Sequence, residues 1–219
     1  MYEVDPFMQK DEVTLRTYIA KNPFSTLIAD TGDEMCVDHI PLEFDDSVGS
    51  TGRLIGHIAK SNPLWRNAES AREDSIFARA IFCGHQAYVS PDWYPSKLAE
   101  PRVVPTWNYA AVHVSGRLRF SHDPDLIRSI LDRLTDRFES VRPRPWRVDD
   151  APKDFLTKMV SGVVGIELEI ESMIGKWKLS QNRSQEDRAG VRDGLRNEAG
   201  AMGEGLADLM AEGESDSLV

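Results

Sequence analysis

The sequence predicts an α+β fold, a split antiparallel β-barrel dressed with peripheral helices. Three observations lead to an antiparallel barrel with helices. Five to seven short segments alternate apolar and polar residues, the mark of half-buried strands. Turn residues such as Thr31-Gly32-Asp33 and Ser61-Asn62-Pro63 punctuate them at hairpin-like spacing. Between them lie stretches with apolar residues three and four apart, best developed in DPDLIRSILDRLTDRFES, where Leu126, Ile127, Ile130, Leu131, Leu134 and Phe138 form one stripe.

Each element has its own signal. Asp11 caps a helix running to about Asn22, with Val13, Leu15, Tyr18 and Ile19 on its apolar side and Pro23 closing it. FSTLIAD and EMCVDHI read as a hairpin, glycine supplying the positive φ of its turn. Phe44 to Gly52 is loop by composition. RLIGHIAK alternates Leu54, Gly56 and Ile58 against Ile55, His57 and Ala59. NAESAREDS is a short helix or exposed loop, and ARAIFCG and QAYVS are two strands turning at Gly84-His85. VHVSGRLRF sets Val112, Val114, Leu118 and Phe120 opposite His113, Ser115, Arg117 and Arg119. Asp123 caps the strong helix and Pro124 opens it. APKDFLTKMV is a shorter helix, and VVGIELEIESM is the cleanest strand. From Ser184 a last helix repeats Val191, Leu195, Ala199, Met202, Leu206 and Leu209. Gly194, Gly200, Gly203 and Gly205 each cost up to about 1 kcal/mol there relative to Ala, so it needs a surface to lean on. The expected organisation is a barrel domain over residues 1–183, a helical extension over 184–211 and a flexible tail over 212–219.

Composition narrows the function. With 41% apolar and 28% charged residues the chain is ordinary globular material. A net charge of −10 repels phosphate at long range and argues against nonspecific binding to DNA or anionic membranes. No run reaches the roughly 18–20 apolar residues of a membrane span, and MYEVDPFMQKDEV is not a secretory signal, so a cytoplasmic location is expected. Cys36 and Cys83 are far apart, with no metal spacing, and are expected reduced and buried. No glycine-rich phosphate loop is present, and the five histidines are scattered without a catalytic partner or metal spacing.

The stretch from Tyr88 to Gly116 concentrates rigid aromatics beside Ser96 and Lys97. Such residues suit a flat phosphorylated ligand, with rings to stack on and donors for phosphate. They suit equally an aromatic core corner whose prolines end strands. Two other clusters sit at strand ends, His57 to Lys60 and Lys176-Trp177-Lys178. If the three converge, a bound anion explains them; otherwise they are three solvated edges guarded by lysine. Arg188, Arg192 and Arg196 line one face of the last helix, either as locally paired surface charges such as Asp193–Arg196 or as a contact for DNA phosphate or an acidic partner surface.

GHIAKSNPLW, IFCGHQAYVSPDWYPSK, VVPTWNYAAVHVSG, LTDRFES, DAPKDF, VVGIELEI and GKWKLSQNR occur in the order found in the FMN-binding negative transcriptional regulators of the PaiB type, which the chain resembles from about Met1 to Leu195. The resemblance implies a split barrel related to pyridoxamine-phosphate-oxidase-like flavoproteins, a homodimer with FMN in clefts between subunits. By position it implies that His57, Lys60, Ser90, Ser96 and Lys97 hold the flavin phosphate, that Trp107 and Asn108 lie by the ring or ribityl chain, and that Lys176 and Trp177 close the site. His85-Gln86 departs from the family's usual proline after Phe-x-Gly, and the end from Gly200 follows no family pattern. The function implied is an FMN-binding regulator. A flavin-dependent oxidoreductase, or a split barrel holding haem or another planar ligand, remains open beside it, as does direct contact with DNA.

Overall fold

Residues 1–32, 34–48, 51–70 and 74–215 are described by the structure, a computed structural model. They form eight strands, β1 (Met8–Gln9), β2 (Phe24–Asp30), β3 (Met35–Pro41), β4 (Glu43–Asp45), β5 (Arg53–Ala59), β6 (Ile76–Val89), β7 (Thr106–Ser121) and β8 (Val163–Lys178). The helices are α1 (Glu12–Lys21), α2 (Leu64–Ser70), α3 (Pro124–Glu139), α4 (Lys153–Ser161), α5 (Gln185–Glu198) and α6 (Gly200–Ser215). The strands follow the order β3-β2-β6-β7-β8-β5-β4, with β1 on β8. The chain divides into two compact units. Unit 1 combines Met1–Leu15, Cys83–Val112 and Ile174–Val219; unit 2 combines Arg16–Phe82 and His113–Met173.

In unit 2 the antiparallel pairing of β2 and β3 runs from Phe24 opposite Pro41 to Asp30 opposite Met35, and β2 also pairs with β6 from Ser25–Phe82 to Ala29–Ala78. The hairpin the sequence predicts is therefore present, with Gly32 at φ +86°; Asp33 of its turn lies outside the described residues. β5 pairs with β8 from Arg53–Glu169 to Ala59–Val163. The segment read as loop from Phe44 begins with a short strand instead, because β4 pairs with β5 through Glu43–Ile55 and Asp45–Arg53. α3 is the amphipathic helix expected, capped by Asp123, whose carboxylate accepts from the Asp125 N–H at 3.0 Å. Ile130 and Leu134 of α3 bury against Ile55, and Leu126 packs beside them. A polar cluster completes this unit: Asp45 bonds Arg53 and Arg133, each at 2.9 Å, and Arg53 also pairs with Glu167.

Three expectations change. ARAIFCG and QAYVS are not two strands: β6 continues through Gly84-His85, whose glycine is not among those with positive φ. The last helix is two helices, because Gly200 takes φ +60° between α5 and α6. The expected tail begins too early, since Glu212 to Ser215 belong to α6; positions 216–219 lie outside the described residues. The cysteines also differ from expectation. Both are free thiols, but Cys83 is exposed, because alternation turns it away from the buried face of β6, and Cys36 is only partly buried although it shares a face of β3 with Ile40. No described helix is long and apolar enough to cross a membrane.

Candidate functional site

In unit 1, β6 ends at Val89 and the chain turns through two short 3-10 segments, Pro91–Trp93 and Pro95–Leu98. Each opens on a proline, whose fixed φ favours a tight turn and whose missing N–H leaves no donor unpaired. The Ser90 hydroxyl accepts the Asp92 N–H at 3.2 Å and starts the first turn. Between the turns Tyr94 is buried, its hydroxyl has no hydrogen-bond partner among the described residues, and the Arg183 guanidinium lies 4.8 Å from its ring centroid. Ser96 donates to Asp187 twice, through its N–H at 3.1 Å and its hydroxyl at 2.8 Å. Asp187 is buried in the first turn of α5, where its own N–H donates to the Ser184 cap. The next residue, Lys97, pairs with exposed Asp92.

Opposite this loop in sequence, β7 opens with Thr106, Trp107 and Asn108. The half-exposed Trp107 donates its indole N–H to Gln86 at 3.1 Å and meets the Tyr88 ring edge-on at 6.3 Å between centroids. Asn108 is buried, and its amide donates to the Ser180 hydroxyl at 2.9 Å. At the end of β8, Lys176 is buried and its ammonium donates to the Tyr2 carbonyl at 2.9 Å, with the Tyr2 ring 5.3 Å away. Trp177 beside it is buried. Lys178 donates to the Thr106 hydroxyl and to the Trp107 carbonyl, the latter at 2.6 Å. Burial, and then the charge of Lys176 two residues away on the same strand face, push the Lys178 ammonium below its ordinary pKa. Two ammonium groups so placed are eased by an anion.

His57 and Lys60 belong to unit 2. His57, on β5 opposite Gly165, keeps a buried Nδ1 without a partner among the described residues, and burial lowers its pKa so that the ring is neutral near pH 7. His113 on β7 has the same unpartnered Nδ1, and burial drives it down to about 4. Lys60 follows β5; its N–H donates to the Gly162 carbonyl at 2.8 Å, and its ammonium meets no carboxylate among the described residues. Of the nine residues singled out in the sequence, Ser90, Ser96, Lys97, Trp107, Asn108, Lys176 and Trp177 thus fall in unit 1, and His57 and Lys60 in unit 2. Tyr94, Lys178 and Arg183 were not on that list. A signal for them existed, since all three lie inside the aromatic-basic stretches DWYPSK and KWKLSQNR.

Unit 1 thus carries hydroxyl and ammonium donors, half-exposed rings and a tyrosine hydroxyl with no partner among the described residues. No group of three His, Cys, Asp or Glu side chains among the described residues could hold a metal ion. The sheet with its intervening helices is a split β-barrel of the α+β class. Solved structures share this fold: the FAD and heme binding protein from Mycobacterium smegmatis (TM-score 0.56, 18% identity, 83% of this chain and 78% of that one) and the flavocytochrome Anf3 from Azotobacter vinelandii (0.54, 14%, 84% and 75%).

The chain belongs to the family described as "Putative FMN-binding domain", whose model matches residues 1–172. It is 29% identical over 212 residues to the protease synthase and sporulation protein PAI 2 of Bacillus subtilis, covering 97% of each chain. It is 32% identical over 201 residues to an uncharacterized protein of Emericella nidulans, covering 80% of each. The chain is therefore a PaiB-like flavoprotein with FMN as its cofactor, and the donor set of unit 1 fits a phosphorylated ring system.

Proposed function

We propose that this flavoprotein is a regulator of the PaiB type, working as a homodimer with FMN held in clefts between subunits. Two facts support the reading together. The similarity to PAI 2 covers 97% of the chain rather than one segment, and the Lys176–Lys178 pair beside Trp107 has no neutralising carboxylate among the described residues. Bound FMN supplies a redox-active isoalloxazine ring. The chain supplies the frame. Asp187 holds Ser96 in place, so the turn that carries Lys97 keeps its shape. Lys97 is paired only with a solvent-exposed carboxylate, a weak bond that a phosphate dianion can replace. Gln86 fixes the Trp107 indole, which walls the ring, and Ser180 fixes Asn108 behind it. Ser90, Lys176 and Trp177 complete the proposed set in unit 1, and His57 and Lys60 are the residues of unit 2 that the resemblance assigns to the cofactor.

The test is the visible spectrum of protein purified from its own host. Flavin absorbance is expected, with Lys97→Ala lowering the flavin retained through gel filtration. Colourless protein that takes up no added FMN in calorimetry would overturn the flavin site. A haem Soret band would replace FMN with another planar ligand. Bleaching of the flavin by NADH or NADPH would turn the regulator into an oxidoreductase; an unchanged spectrum is the outcome expected of a sensor.

A further inference from the structure

A cleft of about 610 Å³ opens in unit 2 between α3, α4 and the end of β5, within the size range of small-molecule sites. Its floor is apolar, built by Ile127 of α3, Leu156 and Val160 of α4, and Val163 at the start of β8. Thr157 and Ser161 add hydroxyls along one wall.

The charges around it do not cancel. Arg128 is neutralised by Asp132 at 2.8 Å and by Asp149, the one carboxylate of the lining, at 2.7 Å. His122 meets Glu69 at 3.3 Å and the edge of Trp65 at 5.0 Å between centroids. That leaves Lys60 and Lys153, two lining ammonium groups with no acidic partner among the described residues. The Lys60 backbone is firmly placed, because its carbonyl accepts from the Trp65 indole at 3.0 Å and from Arg66 at 3.1 Å while its N–H is bonded to Gly162. An apolar floor under two cations with no acidic partner among the described residues selects a specific chemistry.

We propose that this cleft is a second ligand site, taking a small organic acid with an apolar aryl or alkyl body and a carboxylate or sulfonate head between Lys60 and Lys153. Lys60 is the one residue it shares with the flavin reading, so the test rests on Lys153 and Thr157, which that reading does not use. The full chain is titrated with 1-anilinonaphthalene-8-sulfonate, followed by its fluorescence, before and after saturation with FMN. The neutral analogue N-phenyl-1-naphthylamine serves as the uncharged probe. The expected result is saturable binding of the sulfonate that FMN does not displace, weaker binding of the neutral probe, and a loss of about tenfold in affinity in Lys153→Glu, the size of one lost charge-assisted contact. Lys153 is exposed, so that variant is expected to melt like the parent; Thr157→Glu, also exposed, repeats the test from the neighbouring turn. Equal binding in both variants and the parent would overturn the site, and equal affinity for the neutral probe would remove the acid head from it. Stoichiometric displacement by FMN would also overturn it, by making the cleft the flavin site. Flavin content unchanged in both variants separates failure here from failure of the cofactor reading.

Discussion

Asp45 is almost wholly buried between the guanidinium groups of Arg53 and Arg133. Burial alone would raise its pKa, but hydrogen bonds from Arg133, Ser47 and Arg53 outweigh that and hold it well below the ordinary carboxylate range. A depressed acid contributes stability that is present above the unfolded pKa, about 3.9, and lost as the pH falls below it. His113 acts at a higher pH with the same direction. Its folded pKa of about 4 lies below the unfolded value, so the stability it adds is complete above about pH 6.5 and lost between there and 4. His57, lowered by burial, contributes in that window too. The urea midpoint is therefore expected to fall in two stages on acidification, first below about pH 6.5 and again below about pH 4. His113→Gln should flatten the first stage. Asp45→Asn should lower the midpoint at neutral pH and flatten the second. A midpoint constant from pH 7 to pH 5 would contradict the assignment of the histidines.

Among the elements, α5 is the one whose glycines now have a reason. A Cβ on Gly190 would lie 2.1 Å from the Trp93 carbonyl oxygen, and one on Gly194 would lie 2.2–2.5 Å from the Trp93 ring. The helix approaches the turn at Trp93 closely enough for Glu198 to accept the Trp93 indole N–H at 3.1 Å. Gly190→Ala is accordingly expected to destabilise the protein by about 1–3 kcal/mol, against the helix-propensity gain of up to about 1 kcal/mol that Ala brings elsewhere. Gly213→Ala in α6, where an added Cβ meets no heavy atom within 4 Å, is the control expected to be neutral or stabilising in thermal melts. Periodicity made this segment legible as a helix that needs a surface. It could not show which surface, because Ser96, Trp93 and the glycines that accept them are joined only by folding. α3, α4, the β2–β3 hairpin and both aspartate caps could be read locally, since capping and alternation act over a few residues. The turn placed at Gly84-His85 misled for the opposite reason: glycine permits a turn but does not compel one, and strand pairing decided. Arg196 finds Asp208 of α6 at 3.1 Å instead of the nearby Asp193, a choice made possible by the bend at Gly200.

For the whole molecule, net charge is the property that bears most on the regulatory reading. At −10 the chain repels duplex DNA at separations up to about the Debye length, and sequence-independent binding, which depends on phosphate contacts, is disfavoured. Gel-shift titrations with random duplex are expected to show no complex at a salt concentration of about 0.15 M. A shift under those conditions that weakens steeply with added salt would establish a local basic face able to override the net field. The two units also mark where sequence reading stops at this scale. Each is assembled from segments far apart in the chain, and the patterns that reveal strands and helices carry no record of which distant segments close together.

The bond between Ser96 and Asp187 spans 91 residues. On a ribosome adding about 5–20 residues per second, the proline turn that carries Lys97 waits about 5–18 s for the carboxylate that finishes it. Unit 2 ends at Met173, so its last segment leaves the exit tunnel before any part of α5 does. The order of manufacture thus leaves the aromatic loop unfinished after every segment of unit 2 has been made.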